Sequence, residues 1–313
     1  MNNIFNKKRI KRLVILLSIA FLLMNIMAYQ HAYWFTHYTT STENGVNHAE
    51  MNLFEKLSVV FTGIKTPKPQ LTDVPKGTFE TIELESNEKL EGWLVEKDSS
   101  KGIVILFHGH LGTKSSLIEY SDAFGDLGYS TFMIDFMGSG NSEGYTTTIG
   151  FEESENVETA FNYIKNRFPK TEITLFGHSL GAAAIMKAVG EQQVFPDKII
   201  VQTPFSTMLK TVRKRFKIFG LPSFPLAELL VFYGGAQHGF NAFSHNPTDY
   251  AHQIKIPTLL LYGKQDDRVD WEETEEIYNH LSGKKKMYVF EAIGHSDFLK
   301  KKNEWLEVVD SFL

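Results

Sequence analysis

The sequence predicts an α/β fold built on a mostly parallel sheet of about eight strands, with helices on both faces. The first observation is that short β-rich runs alternate with helical stretches from Thr78 onward. This repeated strand–helix alternation implies a doubly wound sheet. The second is that several of the runs are apolar throughout rather than alternating, which is typical of parallel strands covered on both faces.

The strand runs occur in order along the chain. The first two, Thr78–Leu84 and Leu90–Glu96, are close enough together to form a hairpin. Six more follow: Ile103–Phe107, Ser130–Ile134, Ile173–Phe176, Ile199–Gln202, Thr258–Tyr262 and Met287–Phe290. Helical patterns fill most of the intervals, among them Glu152–Phe168, Leu180–Gly190 and Glu272–Leu281.

One interval is too long for a single crossover. The segment Thr207–Ile254 joins the sixth and seventh runs over roughly 50 residues, where about a dozen would suffice. We interpret it as an inserted helical subdomain over the carboxyl edge of the sheet, a candidate lid. It begins with a basic cluster and continues with a strongly apolar stretch. The cluster consists of Lys210, Arg213, Lys214, Arg215 and Lys217.

Two interpretations of the candidate lid stay open. In the first, the basic residues form a solvated face and the apolar residues pack on the body. In the second, the lid is interfacial: its basic face binds anionic lipid and its apolar face admits an acyl chain.

Composition excludes several functional classes. The 313-residue chain has a net charge of -5, which is unfavourable for a nucleic-acid-binding protein. It has no cysteine, so disulfides, thiolate nucleophiles and thiolate metal ligands are excluded. The pair His108 and His110 could suggest a metal, but no third ligand follows at suitable spacing. We therefore predict neither a metal nor any other cofactor.

The N-terminal residues predict a membrane anchor. Five basic residues between Lys7 and Arg12 precede an apolar stretch, Leu13–Tyr29, and aromatic residues follow it. We assign residues 1–35 to a cytoplasmic tail and a transmembrane helix. The alternative is a signal peptide cleaved after Ala28, although Ile26 makes that site poor. Both interpretations put the rest of the chain on the non-cytoplasmic side, either anchored as a single-pass protein or secreted.

Residues 36–76 connect the anchor to the body. Apolar residues between His48 and Gly63 recur at helical spacing, which predicts an amphipathic helix. Pro67, Pro69 and Pro75 then interrupt any helix, so residues 66–76 are predicted to form a linker. The catalytic domain is assigned to residues 77–313, with the candidate lid at 207–254.

A nucleophilic serine is predicted by its surroundings. Gly177-His178-Ser179-Leu180-Gly181 has the pattern G-x-S-x-G, with an apolar strand before it and a run of helix-forming residues after it. A nucleophile elbow requires this strand–turn–helix arrangement, with small residues two before and two after the serine. The first N–H after the serine, that of Leu180, is then one expected donor to an oxyanion.

The base and the acid are expected after the last two strands. Functional groups of an open parallel sheet gather at the carboxyl ends of its strands. Asp266 and Asp267 follow the seventh run, and His295 follows the eighth, directly after a glycine. We predict that His295 is the general base. Spacing alone leaves the acid open between the two aspartates.

These motifs together resemble the α/β-hydrolase superfamily, most nearly its serine aminopeptidase-like and monoglyceride lipase-like branch. The resemblance covers Thr78–Leu313. It rests on His108-Gly109, on the loop from Asp135 to Gly144, on the elbow, on Gly263-x-x-Asp266-x-x-Val269 and on Gly294-His295. It implies that Asp266 is the triad acid, that the His110 N–H is the second oxyanion donor, and that Asp135 lies outside the triad and hydrogen-bonds its own loop.

The sequence thus predicts a serine hydrolase that acts by acyl transfer through Ser179, His295 and Asp266. Its expected substrate is a carboxylic ester, with a lipid-like acyl group. Two alternatives stay open. One is a peptidase on the same triad, although a basic lid is unfavourable for binding a free amine. The other is a hydrolase-fold protein that has lost its activity and serves as a binding module.

Overall fold

The computed structural model of the chain describes residues 2–40, 62–218 and 220–313. The amphipathic helix predicted between His48 and Gly63 lies outside the described residues up to position 61. Helix α1 is Asn2–Thr36. The two-residue strand Tyr38–Thr39 follows it and pairs in parallel with a second two-residue strand, Thr66–Pro67. The remaining elements form the body of the protein.

Eight strands form the central sheet, and their bounds are β1 Glu80–Glu85, β2 Lys89–Val95, β3 Ile103–Phe107, β4 Ser130–Ile134, β5 Ile173–His178, β6 Lys198–Gln202, β7 Thr258–Gly263 and β8 Lys285–Phe290. Their order is β1-β2-β4-β3-β5-β6-β7-β8. Strand β2 is antiparallel to β1 and β4, and every other pairing is parallel. The predicted mostly parallel, eight-stranded sheet is confirmed.

The helices of the body are α2 Ile118–Asp126, α3 Glu153–Arg167, α4 Leu180–Gly190, α5 Met208–Ile218, α6 Leu226–His238, α7 Pro247–Ala251, α8 Trp271–His280 and α9 Lys302–Asp310. Helices α3 and α4 belong to a hydrophobic cluster on one face of the sheet, and α2 and α9 to a cluster on the other. Strand β3 contributes alternate residues to the two clusters, Ile105 to one and Leu106 to the other. Burial on both faces explains why this strand is apolar throughout.

The insertion between β6 and β7 contains α5, α6 and α7. Three of the five residues in its basic cluster form ion pairs: Lys210 with Glu276 at 2.6 Å, Arg213 with Glu228, and Lys214 with Asp270. Two of the three partners, Glu276 and Asp270, lie on α8 or directly before it. Most of the basic face is therefore paired, which is unfavourable for a free lipid-binding face.

Helix α1 is long and apolar enough to cross a membrane over Lys7–Thr36. Its last third packs against α6, and Ala28, Ala32 and Thr36 are buried there at four-residue spacing. Beyond the helix, the Thr147 N–H donates to Thr36 O at 2.9 Å and the Tyr38 N–H donates to Tyr145 O at 2.7 Å. The carboxyl end of α1 is therefore built into the body of the protein.

Candidate active site

Ser179 lies in a tight turn between β5 and α4. Its backbone has φ 52° and ψ −109°, a strained conformation for a residue with a side chain. A Cβ on Gly177 would lie 2.5 Å from Gly181 C, and one on Gly181 would lie 2.8 Å from His108 O. Only glycine fits at either position. The strand–turn–helix geometry predicted around the serine is present.

The three predicted triad residues come together at the carboxyl edge of the sheet. His295 Nδ1 lies 2.8 Å from Asp266 Oδ2, and His295 Nε2 lies 2.9 Å from Ser179 Oγ. A carboxylate only accepts, so Nδ1 carries the proton and donates to Asp266. The lone pair on Nε2 is then free to accept the serine proton. This is the tautomer that a general base requires.

Asp266 is held in place by its own loop. The N–H groups of Arg268 and Val269 donate to Asp266 Oδ1 at 2.8 and 2.9 Å, and its side chain is buried. These two bonds leave Oδ2 for His295. Asp267 is exposed, and its side chain has no hydrogen bond within the described parts of the chain. The structure therefore brings Asp266, and not Asp267, to His295.

The two predicted oxyanion donors are next to the serine. A Cβ on Gly109 would lie 3.5 Å from Ser179 Cβ, so the segment Gly109-His110 lies against the nucleophile. Neither the His110 N–H nor the Leu180 N–H donates a hydrogen bond to another described residue. Leu180 also begins α4, whose positive dipole end favours a developing negative charge. Their role as donors to an oxyanion stays a prediction.

His108 and Asp135 support the loops around the site. His108 Nδ1 donates to Gly109 O at 2.8 Å, and its Nε2 accepts from the Phe136 N–H at 3.1 Å. Both ring nitrogens are therefore occupied, which leaves none for a metal. Asp135 accepts from the Lys114 N–H at 2.6 Å and from the Asn141 N–H at 3.0 Å, and it forms a buried ion pair with Lys114. Asp135 is bonded to its own loop, as the resemblance implies.

Two residues near the site were missed by the sequence analysis. The ring of Phe35, from the end of α1, lies 5.0 Å from the ring of His110. The guanidinium of Arg215, on α5, lies over the Phe35 ring at 4.3 Å. The anchor helix and the candidate lid therefore meet beside the predicted oxyanion loop. The sequence around Phe35 did not indicate a role at the site, because aromatic residues are common at the ends of membrane helices.

The two other histidines beside the serine are uncharged at physiological pH. Burial, together with nearby positive charges, lowers the pKa of His110 and of His178 to about 3. Activity is expected to fall on acidification, because the reaction needs an unprotonated base. The pKa values of His110 and His178 lie near 3, so these two histidines are not expected to cause that fall.

This assignment predicts how one variant behaves. In a His178→Gln variant, the midpoint of the acidic fall in kcat/KM is expected to stay within about 0.3 pH unit of that of the unmodified protein. The pH profile of hydrolysis of a neutral ester measures it. A midpoint that moves by a full unit would show that His178 contributes to the titration.

Part of the chain matches the model of a known family. Residues 98–248 match the model of the family described as serine aminopeptidase, S33. The matched range contains Ser179 and the His110 loop but ends before Asp266 and His295. The position of the last two in a triad therefore rests on the geometry above.

Relatives and a solved structure share most of the chain. The uncharacterized protein YqkD of Bacillus subtilis (strain 168) is 26% identical over 228 residues, which cover 72% of this chain and 75% of the relative. The uncharacterized membrane protein YNL320W of Saccharomyces cerevisiae is 23% identical over 235 residues, 74% of this chain and 78% of the relative. The Pyrococcus furiosus esterase PF2001 superposes with a TM-score of 0.64 at 24% identity, over 78% of this chain and 96% of that one. The shared fold is that of the α/β-hydrolases.

Proposed function

We propose that this chain, which has the α/β-hydrolase fold, hydrolyses carboxylic esters through Ser179. The observation that carries the proposal is the hydrogen-bonded relay from Ser179 Oγ through His295 to Asp266, with distances of 2.9 and 2.8 Å. A serine hydroxyl becomes an effective nucleophile when such a base accepts its proton.

The reaction follows from the positions of these groups. His295 Nε2 takes the proton as Ser179 Oγ attacks the ester carbonyl, and Asp266 stabilises the resulting imidazolium. The N–H groups of His110 and Leu180 donate to the oxyanion. His295 then gives its proton to the leaving alcohol, which departs and leaves an acyl-serine. Water, deprotonated by His295, attacks that acyl group, and collapse of the second tetrahedral intermediate releases the acid and restores Ser179.

A peptidase is the second candidate, because the matching family model is described as serine aminopeptidase. An aminopeptidase must bind the free amine of its substrate, which favours carboxylates at the mouth of the site. The charges near His110 are instead those of Arg215 and Arg268, which help to lower its pKa. Arg215 forms no ion pair with any described carboxylate. The positive charges of Arg215 and Arg268 beside the site support an ester without a free amine as the substrate.

The location of the enzyme is also part of the proposal. Helix α1 is exposed and apolar before Asn25, and five basic residues lie at its start. We assign it to a retained single-pass anchor, with the catalytic body on the non-cytoplasmic side. Retention is favoured by the burial of Ala28, Ala32 and Thr36 in the body. The yeast relative YNL320W is described as a membrane protein. A lipid-like ester in the same membrane would then be close to Ser179.

The activity is tested by labelling and by matched substrates. We expect the full-length protein in detergent to react with a fluorophosphonate probe and to hydrolyse acyl esters faster than the corresponding amides. The acyl length of the best ester then defines the substrate class. Labelling absent in the unmodified protein would overturn the assignment of a serine hydrolase, and faster turnover of aminoacyl amides would favour the peptidase.

The charge at the mouth gives a further prediction. For an ester that carries a free amine, Arg215→Gln is expected to raise kcat/KM by about tenfold, because it removes a repulsive charge at close range. For the neutral ester of the same length, kcat/KM should change less than twofold. Lys217→Gln, on the exposed end of the same helix, is the matched control. An equal change on both esters would assign Arg215 a packing role on Phe35.

A further inference from the structure

The turn between α5 and α6 has an apolar surface that no described residue covers. Phe224 is 74% exposed, and Ile218, Leu221 and Phe232 are each more than half exposed. All four lie on the turn or on the helices that border it. Several exposed large apolar side chains within one short segment are uncommon on a protein that is surrounded by water.

Contacts between α6 and α1 define where this turn lies. Tyr233 contacts α1 at Tyr29, with ring centroids 5.6 Å apart, while His238, farther along α6, stacks on His37, directly after the end of α1. The two helices therefore run in the same direction. Leu226 precedes Tyr233 by seven residues, which is about 10 Å of helix. The turn consequently lies beside the apolar part of α1, on the side of its basic N-terminal end.

The length of a membrane span places this contact in lipid. A helix needs about 20 residues to cross the hydrocarbon of a bilayer. Counted from Leu13, directly after the basic cluster, such a span reaches about Ala32. The stretch of α1 that is exposed and apolar ends near Asn25, where α6 begins to cover it. A full span therefore includes the stretch that α6 contacts, and the start of α6 lies at the depth of the hydrocarbon.

Toward the start of α6 the polar side chains of this contact are paired within the protein, whereas Gln237 Oε1 and His238 Nε2, near its end, have no partner among the described residues. Asn25 Nδ2 donates to Phe21 O at 2.7 Å, and Asn25 Oδ1 accepts from Tyr233 Oη at 2.8 Å. Glu228, in the first turn of α6, is paired with Arg213. Internal pairing is what polar side chains require at membrane depth. Lys217 can extend its amine to the headgroups from the end of α5.

From these observations, we infer that the turn Gly220–Leu226, which leads into α6, inserts into the outer hydrocarbon of the bilayer beside α1. The partner of this surface is lipid acyl chain rather than anionic headgroup, since most of the basic residues of α5 are paired. The inference rests on the membrane anchoring in the proposed function.

Single cysteine variants test the inference, and the natural chain has no cysteine to remove. Phe224→Cys labels the turn and Leu17→Cys labels the span. Phe195→Cys is the matched control, because Phe195 is 69% exposed on a loop of the body. Each full-length variant is labelled with a polarity-sensitive fluorophore and reconstituted in phosphatidylcholine vesicles. Reaction with a fluorophosphonate probe verifies that each variant is folded.

We expect the label at Phe224 to match the label at Leu17: blue-shifted emission, loss of more than half of the intensity with acyl-chain nitroxide lipids, and little quenching by aqueous iodide. The label at Phe195 should show the reverse. A label at Phe224 that iodide quenches as strongly as the one at Phe195, with Leu17 in lipid, would overturn the insertion alone. A label at Leu17 that is quenched by iodide would overturn the anchor and the insertion together, without bearing on the esterase activity.

Discussion

Replacing Ser179 with alanine is expected to lower kcat by about a millionfold, and Asp266→Asn by about ten-thousandfold. The alanine removes the nucleophile. The asparagine presents an amide N–H where Asp266 Oδ2 now accepts from His295 Nδ1 at 2.8 Å, so the imidazole must turn or adopt the other tautomer. The proton would then be on Nε2, which faces Ser179 Oγ at 2.9 Å and must accept.

The neighbouring aspartate provides the control. Asp267→Asn changes the same functional group one residue away, on an exposed side chain that lies outside the relay. We expect its kcat to stay within about twofold of the unmodified protein, because surface substitutions rarely disturb a fold. Initial rates on a neutral ester, with active sites counted by fluorophosphonate labelling, measure all three variants. A large loss of kcat in Asp267→Asn together with a small loss in Asp266→Asn would reverse the assignment of the acid.

The sequence predicted the parts of the site that local patterns define. Ser179 was predicted from its glycines and from the strand and helix around it, and the structure shows why both glycines are needed. His295 was predicted because groups at the carboxyl ends of parallel strands converge. The choice between Asp266 and Asp267 required the resemblance. The two residues are adjacent and chemically identical, so only the orientation of their side chains in the folded loop distinguishes them. The N–H groups of Arg268 and Val269 determine that direction.

Contacts between distant segments could not be predicted in this way. Phe35 reaches the site because α1 continues past the membrane stretch and packs on α6, whereas the sequence analysis assigned the residues after it to a connecting segment. The pairing of Lys210 and Lys214 on α5 with carboxylates near α8 likewise joins segments that are far apart in the sequence. Such pairings depend on tertiary structure, and one sequence without its relatives carries no local signal for them.

The second large effect concerns stability. Lys114→Met is expected to lower the free energy of unfolding by about 3–5 kcal/mol, because it leaves Asp135 buried without its cation. Both side chains of this pair are fully buried, and Lys114 also lies 2.9 Å from Glu91 and over the ring of Trp93. Methionine fills a similar volume, so the decrease in the free energy of unfolding would reflect the lost charge more than lost packing. For a domain of this size, the apparent Tm in detergent should fall by roughly 6–15 °C.

An exposed ion pair is the matched control for this variant. Lys264 pairs with Glu291 at 2.6 Å on the surface, and Lys264→Met should cost at most about 1 kcal/mol, because water and salt screen that pair. The double variant Lys114→Met with Asp135→Asn should recover part of the loss, since the isolated buried carboxylate is then neutral. Thermal unfolding of the full-length protein, followed by circular dichroism, compares the four proteins. Equal shifts for the buried and the exposed lysine would refute a special contribution of the buried pair.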